Sequence, residues 1–201
     1  MPIPSADGGP FPEGRDHKEY DRLRRRVLWS MPTGLFVVGS RFSAQRNLMT
    51  CNWAMQVATT PKLVAVSVER GSVTRGLIEA GGGFSVSVLP RSERALVRRF
   101  VKPSTDIVLD PSGVAVSMQG QEVHEVGGGL PCLASARSWL ACEVRHLLSW
   151  DDDVPDGPAS HVLVIGEVVD AGESGNEPPG EAGGEDNGIL RMQDTLMNYG
   201  G

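Results

Sequence analysis

Two short polar clusters carry the residues best suited to chemistry. The first is Thr50-Cys51-Asn52-Trp53, set inside the largely apolar stretch from Asn47 to Pro61. The second is Ser72-Val73-Thr74, flanked by Arg70 and Arg75. Hydroxyl and amide groups embedded among apolar side chains suit a flat ligand with a greasy middle and hydrogen-bonding edges. A hydroxyl pair at the start of a helix suits a phosphate, because the first-turn amides and the helix dipole both favour an anion. Each cluster also has a plainer use. Thr50 and Asn52 can satisfy loop backbone groups, and Ser72 or Thr74 can simply cap a helix.

His161 stands at the head of an apolar run, His161 to Val169. A single histidine there serves either as a structural hydrogen-bonder or as a group that positions a reactant. Trp53 is either a core residue or an aromatic wall beside the ligand, and Ser67 reaches the ligand if its strand turns that side inward. Cys51, Cys132 and Cys142 are odd in number and show no CxxC or Cys/His spacing. They read as reduced packing residues, so no metal site is expected. Gly81-Gly82-Gly83 lacks the GxGxxG spacing, which gives no support to a dinucleotide-binding αβ domain.

The elements that must position these groups are mostly strands. Leu35–Val38, Leu48–Asn52, Leu63–Val68, Phe84–Leu89, Trp139–Leu148 and His161–Val169 are apolar or alternating runs of strand length. Arg41 to Arg46 reads as a polar hairpin loop, and 104–129 as mixed turns and short strands. Tyr20, Leu23, Val27 and Leu28 recur with helical spacing, predicting an amphipathic helix from about Asp16 to Trp29 with a solvated basic face. Further helices are expected at Val73–Ala80, stopped by the three glycines, and at Glu93–Val101, with Arg94, Arg98 and Arg99 outward. Asp151 to Pro158 reads as an acidic turn. Residues 189–199 regain apolar character and should dock on the body.

With 201 residues, the chain suits one domain with a full core. The expected organisation is a flexible N-terminal arm (1–15) and a single domain (16–201), with a flexible Gly/Glu/Pro-rich insertion at 173–187. Gly is abundant (25 residues) and aromatics scarce, favouring short strands and turns over a helical bundle. A formal net charge of -6 excludes a general nucleic-acid binder. No apolar run is long enough to span a membrane and no secretory leader is visible, so a cytoplasmic location is expected.

In order along the chain, these pieces resemble the flavin-reductase-like family. Met31-Pro-Thr-Gly34 with Val37-Val38 is similar to its opening strand, and Leu48-Met-Thr-Cys-Asn52 to its Met-Thr-x-Asn motif. Ser72-Val-Thr74 resembles its phosphate-contacting Ser-x-Thr, and His161 to Val168 its late strand. The chain departs from the family at Trp53, where many relatives carry a small residue, and at Ser160, where they carry an acid. Its tail also lacks a Tyr/Arg-rich ending. The resemblance implies an FMN-binding split β-barrel, mainly β with short helices, in which FMN (or FAD) is reduced by NAD(P)H. It further implies a homodimer that supplies reduced flavin to a partner monooxygenase. On the same basis Thr50, Cys51, Asn52, Trp53, Ser67, Arg70, Ser72, Thr74 and Arg75 hold the flavin, and His161 stands near the nicotinamide. The altered tail leaves two other uses open: a flavin-binding electron-transfer protein without nicotinamide activity, or a biosynthetic enzyme that reuses the pocket.

Overall fold

The computed structural model describes residues 12–149, 160–173 and 188–195. The expected arm lies outside the described residues up to position 11. So do the acidic turn at 151–158, nearly all of the 173–187 insertion, and the tail beyond 195.

Eleven strands form two sheets among the described residues. They are β1 (Phe36–Phe42), β2 (Gln45–Cys51), β3 (Ala54–Thr59), β4 (Lys62–Glu69), β5 (Gly83–Val88), β6 (Ile107–Leu109), β7 (Ala115–Met118), β8 (Gln121–Val126), β9 (Leu130–Leu133), β10 (Ser138–Leu148) and β11 (His161–Glu173). The large sheet runs β2-β1-β5-β10-β11-β4-β3 and the small one β6-β7-β8-β9, with every pairing antiparallel.

The large sheet has a consequence for the site. Its two edge strands, β2 and β3, follow one another in the chain with only Asn52 and Trp53 between them. A seven-stranded sheet can satisfy that connection only by curling until its edges meet at one end. The result is split-barrel-like: the edges converge but the ladder does not close. At the seam, Cys51 Sγ lies 3.7 Å from the Ser67 carbonyl and Ser67 N–H donates to the Trp53 carbonyl at 2.9 Å.

Alternation along β1 divides the core. Val37 faces one cluster, with Leu35, Leu48, Leu89, Val97, Phe100, Met118, Leu133 and Leu190, which joins the large sheet to the small one. Val38 faces the interior of the curl, with Val64, Val66, Val68, Ile78, Phe84, Val86, Val162 and Val164. Gly39 permits the two sheets to approach, since a Cβ there would stand 2.0 Å from the Pro131 carbonyl oxygen. Ser85 Oγ donates to that same oxygen at 2.6 Å.

Among the described residues there are two α-helices, α1 (His17–Trp29) and α2 (Val73–Gly81), of which α2 packs against β1 and β2. Asp16 caps α1 by accepting from Glu19 N–H at 2.9 Å. The helix is amphipathic as its spacing predicts, yet none of its residues is buried: Val27 and Leu28 are about 60% exposed. Gly82 ends α2 in the left-handed region, at φ 71°, where a side chain would be strained.

Other expectations need correction. Arg41 to Arg46 is strand except for the tight turn at Ser43 and Ala44, because Arg46 is buried against an internal carboxylate rather than solvated. The helix expected at Glu93–Val101 is two 3₁₀ segments, Arg91–Glu93 and Leu96–Phe100, with Leu96, Val97 and Phe100 packed inward. Strand β11 runs on to Glu173, the first residue of the expected insertion. The returning segment docks as expected: Leu190 is fully buried, donates to the Leu89 carbonyl and accepts from Leu35 N–H.

Candidate functional site

The seam gathers the first polar cluster. Thr50 is buried at the end of β2 and its hydroxyl donates to the Val97 carbonyl. Cys51 is buried too, and that burial pushes its thiol up to about 11, so it is an unreactive thiol at neutral pH. Asn52 is half-buried in the bend, and Trp53 is 39% exposed, so Trp53 is not part of the core. Its ring meets that of His161 edge-on, with centroids 4.8 Å apart.

His161 opens β11 opposite Glu69, the last residue of β4. Its Nδ1 is 2.7 Å from the Ser160 hydroxyl, while the Ser160 carbonyl accepts from Arg70 N–H at 2.9 Å. Desolvation by partial burial lowers the pKa of His161 below the usual histidine value, and the nearby Glu69 carboxylate partly opposes this. The Arg70 guanidinium turns toward Ser149 Oγ, at 3.0 Å.

The turn after β4 leads straight into α2. Ser72 is its N-cap, accepting from Arg75 N–H at 3.2 Å. Thr74 is fully buried and its hydroxyl accepts from Asn47 Nδ2 at 2.8 Å. The Ser72/Thr74 pair therefore divides: Ser72 lies half-buried at the helix start, and Thr74 locks the first turn of α2 to β2. Arg75 pairs with Glu79 at 3.0 Å, and its buried Nε has no hydrogen-bond partner among the described residues.

Sequence reasoning did not assign Asn47 a role. It is 3% exposed and bonds both Thr74 and Ser104, whose N–H donates to Asn47 Oδ1 at 2.7 Å. It stands on the same strand three residues before Thr50, but its partners Thr74 and Ser104 lie far off in the chain. An apolar groove of about 390 Å³ begins one residue beyond Trp53, lined by Ala54, Met55, Leu63, Val86, Leu140 and Val168 among others. Among the described residues no cluster of His, Cys, Asp and Glu is arranged to hold a metal.

The curled sheet, with its two edge strands converging at the seam, defines a split-barrel-like protein. The match to the model of the flavin reductase like domain spans residues 28–195, and the chain belongs to that family of flavin-dependent oxidoreductases. It is similar to the reductase component of 4-hydroxyphenylacetate 3-monooxygenase from Thermus thermophilus, at 25% identity over 77% of this chain and 87% of that one. A high molecular weight rubredoxin from Moorella thermoacetica is 25% identical over 73% of this chain, which spans only 58% of that relative's length. Among solved structures, the NADH:FAD oxidoreductase SgcE6 of Streptomyces globisporus superposes with a TM-score of 0.61 at 27% identity, covering 81% of this chain and 87% of that one.

Proposed function

We propose that this chain binds FMN, with FAD as the alternative flavin, and transfers a hydride to it from NAD(P)H. The reduced flavin then serves a partner monooxygenase. The observation that carries this reading is that β4, whose Ser67 N–H pairs with the Trp53 carbonyl at the seam, leads within four residues into α2, capped by Ser72. Ser72, the first-turn amides and Arg75 suit the phosphate. Ser67 and Arg70, on the strand end between helix and seam, suit the ribityl chain. Backbone amides of Cys51, Asn52 and Trp53 suit the pyrimidine edge of the ring, and Thr50 braces that segment from inside through Val97. Hydride acceptance is the chemistry the bound flavin supplies. His161, edge-on to Trp53, suits a role in aligning the nicotinamide, since hydride transfer depends first on orientation. The monooxygenase partner is supported by the Thermus relative, whose name makes it a reductase component.

We further propose a homodimer in the cytoplasm. The apolar groove and the exposed Met55 and Val57 of edge strand β3 support pairing, because uncovered apolar edges invite association. Among the described residues no helix is long and apolar enough to cross a membrane.

A second reading, a flavin-binding electron-transfer protein without nicotinamide activity, is favoured by the likeness to the rubredoxin. Equilibrium titration of FMN and FAD onto the purified protein tests the binding step. Micromolar or tighter binding that weakens in Ser72→Ala supports the site, and no binding of either flavin refutes it. Flavin binding without NADH or NADPH oxidation selects the electron-transfer reading.

A further inference from the structure

We propose that Ser160 is the positioning residue of His161, its hydroxyl holding Nδ1 so that the imidazole stands edge-on to Trp53. The inference deepens the role proposed for His161 and rests on that reading only for its catalytic consequence.

The geometry fixes Ser160 at two points. Its carbonyl accepts from Arg70 N–H at 2.9 Å, which ties it to the end of β4, and its hydroxyl meets His161 Nδ1 at 2.7 Å. The imidazole is then bounded on a second side by the Trp53 ring, 4.8 Å away and inclined at 68°. A ring held at one nitrogen and packed along one edge has its orientation set, and the partner at one nitrogen decides the proton's place on the other. A serine hydroxyl can donate to Nδ1 or accept from Nδ1–H without a charge of its own. A carboxylate in the same place would accept only, and would favour the imidazolium.

The other charged groups around the ring are few among the described residues. From β4, Glu69 stands opposite His161 in the ladder and is, among the described residues, the one carboxylate acting on it. From the turn after β4, the Arg70 guanidinium is directed to Ser149 at the end of β10. The seam contributes only Trp53. Partial burial favours the neutral ring, in the same direction as the uncharged Ser160 partner.

The test is a histidine titration by NMR on the full chain labelled in its imidazoles, with His161→Gln identifying the resonance. Ser160→Asp is expected to raise the His161 pKa by about one unit or more, as a carboxylate within hydrogen-bond reach does. Ser160→Ala is expected to change the ring-nitrogen shifts that report the tautomer, and Ser160→Thr to restore them. In turnover with NAD(P)H and flavin, Ser160→Ala should lower kcat while leaving the flavin Kd unchanged, and Ser160→Asp should move the pH profile with the measured pKa. An unaltered His161 titration in Ser160→Asp together with an unaltered tautomer in Ser160→Ala overturns the proposal. A wild-type protein that oxidises no NAD(P)H would refute the reductase reading instead, and the titration would still decide the Ser160 contact.

Discussion

Asn47 ties together three elements that meet at the proposed phosphate end, and replacing it by alanine tests that construction. The side chain donates to Thr74 Oγ1 at 2.8 Å and accepts from Ser104 N–H at 2.7 Å, while being 3% exposed. Water has little access to the Thr74 bond, while the Ser104 bond is part-buried. Leaving a buried polar group unsatisfied costs about 1–3 kcal/mol and losing an ordinary hydrogen bond about 0.5–1.5 kcal/mol, so the two losses together should destabilise the fold by roughly 2–4 kcal/mol. For a chain of this size, where each kcal/mol lowers Tm by about 2–4 °C, the melting point should fall by about 4–16 °C. Loosening the first turn of α2 should also weaken flavin binding about tenfold, equivalent to roughly 1.4 kcal/mol. Denaturant unfolding and flavin titration read the two effects separately. An Asn47→Ala protein as stable as the parent and equally tight for flavin would refute the reasoning.

Glu125 accepts from Arg46 Nε at 2.6 Å, Arg41 Nη1 at 2.9 Å and Ala115 N–H at 3.0 Å, and joins the β1–β2 hairpin to the small sheet. Glu125→Ala leaves the Arg46 guanidinium, 2% exposed, without its counter-charge, so unfolding experiments should show a loss of about 3–5 kcal/mol. The lowered pKa of His161 predicts a pH dependence of stability. The folded state favours the neutral ring, so the unfolded chain binds more protons between the folded pKa and the unfolded value of about 6.5. The His161 contribution is therefore fully present above that value and declines as pH falls through the folded pKa. Chemical denaturation at a series of pH values should show a steeper acid-side loss in the parent than in His161→Gln; parallel profiles would contradict it.

The strands that carry the core were legible because their patterns are local. Leu63 to Val68 and Phe84 to Leu89 read as strands from β-branching and alternation, and β4 and β5 form there, β5 ending at Val88. The charge of Arg46 hid the start of β2, since its partner Glu125 comes from β8, far along the chain. Strand β3 was missed for a related reason. It is an edge strand with exposed Met55 and Val57 and a register shift between Gln56 and Ala58, which leaves little apolar period to read. The amphipathic face of α1 was legible but its partner was not: Val27, Leu28 and Trp29 remain exposed. At the site, residue types pointed to the seam and the helix start. Which hydroxyls turn inward depended on long-range contacts, Thr50 to Val97 and Thr74 to Asn47, that no local pattern encodes.

The central claim is that the seam and the start of α2 hold a flavin where a nicotinamide can reduce it. The direct measurement follows nicotinamide absorbance with purified protein, FMN or FAD, and NADH or NADPH. Saturable oxidation is expected with at least one pair, well above the rate with free flavin alone and reduced in His161→Gln. No oxidation above that background, with either flavin and either nicotinamide, would contradict it.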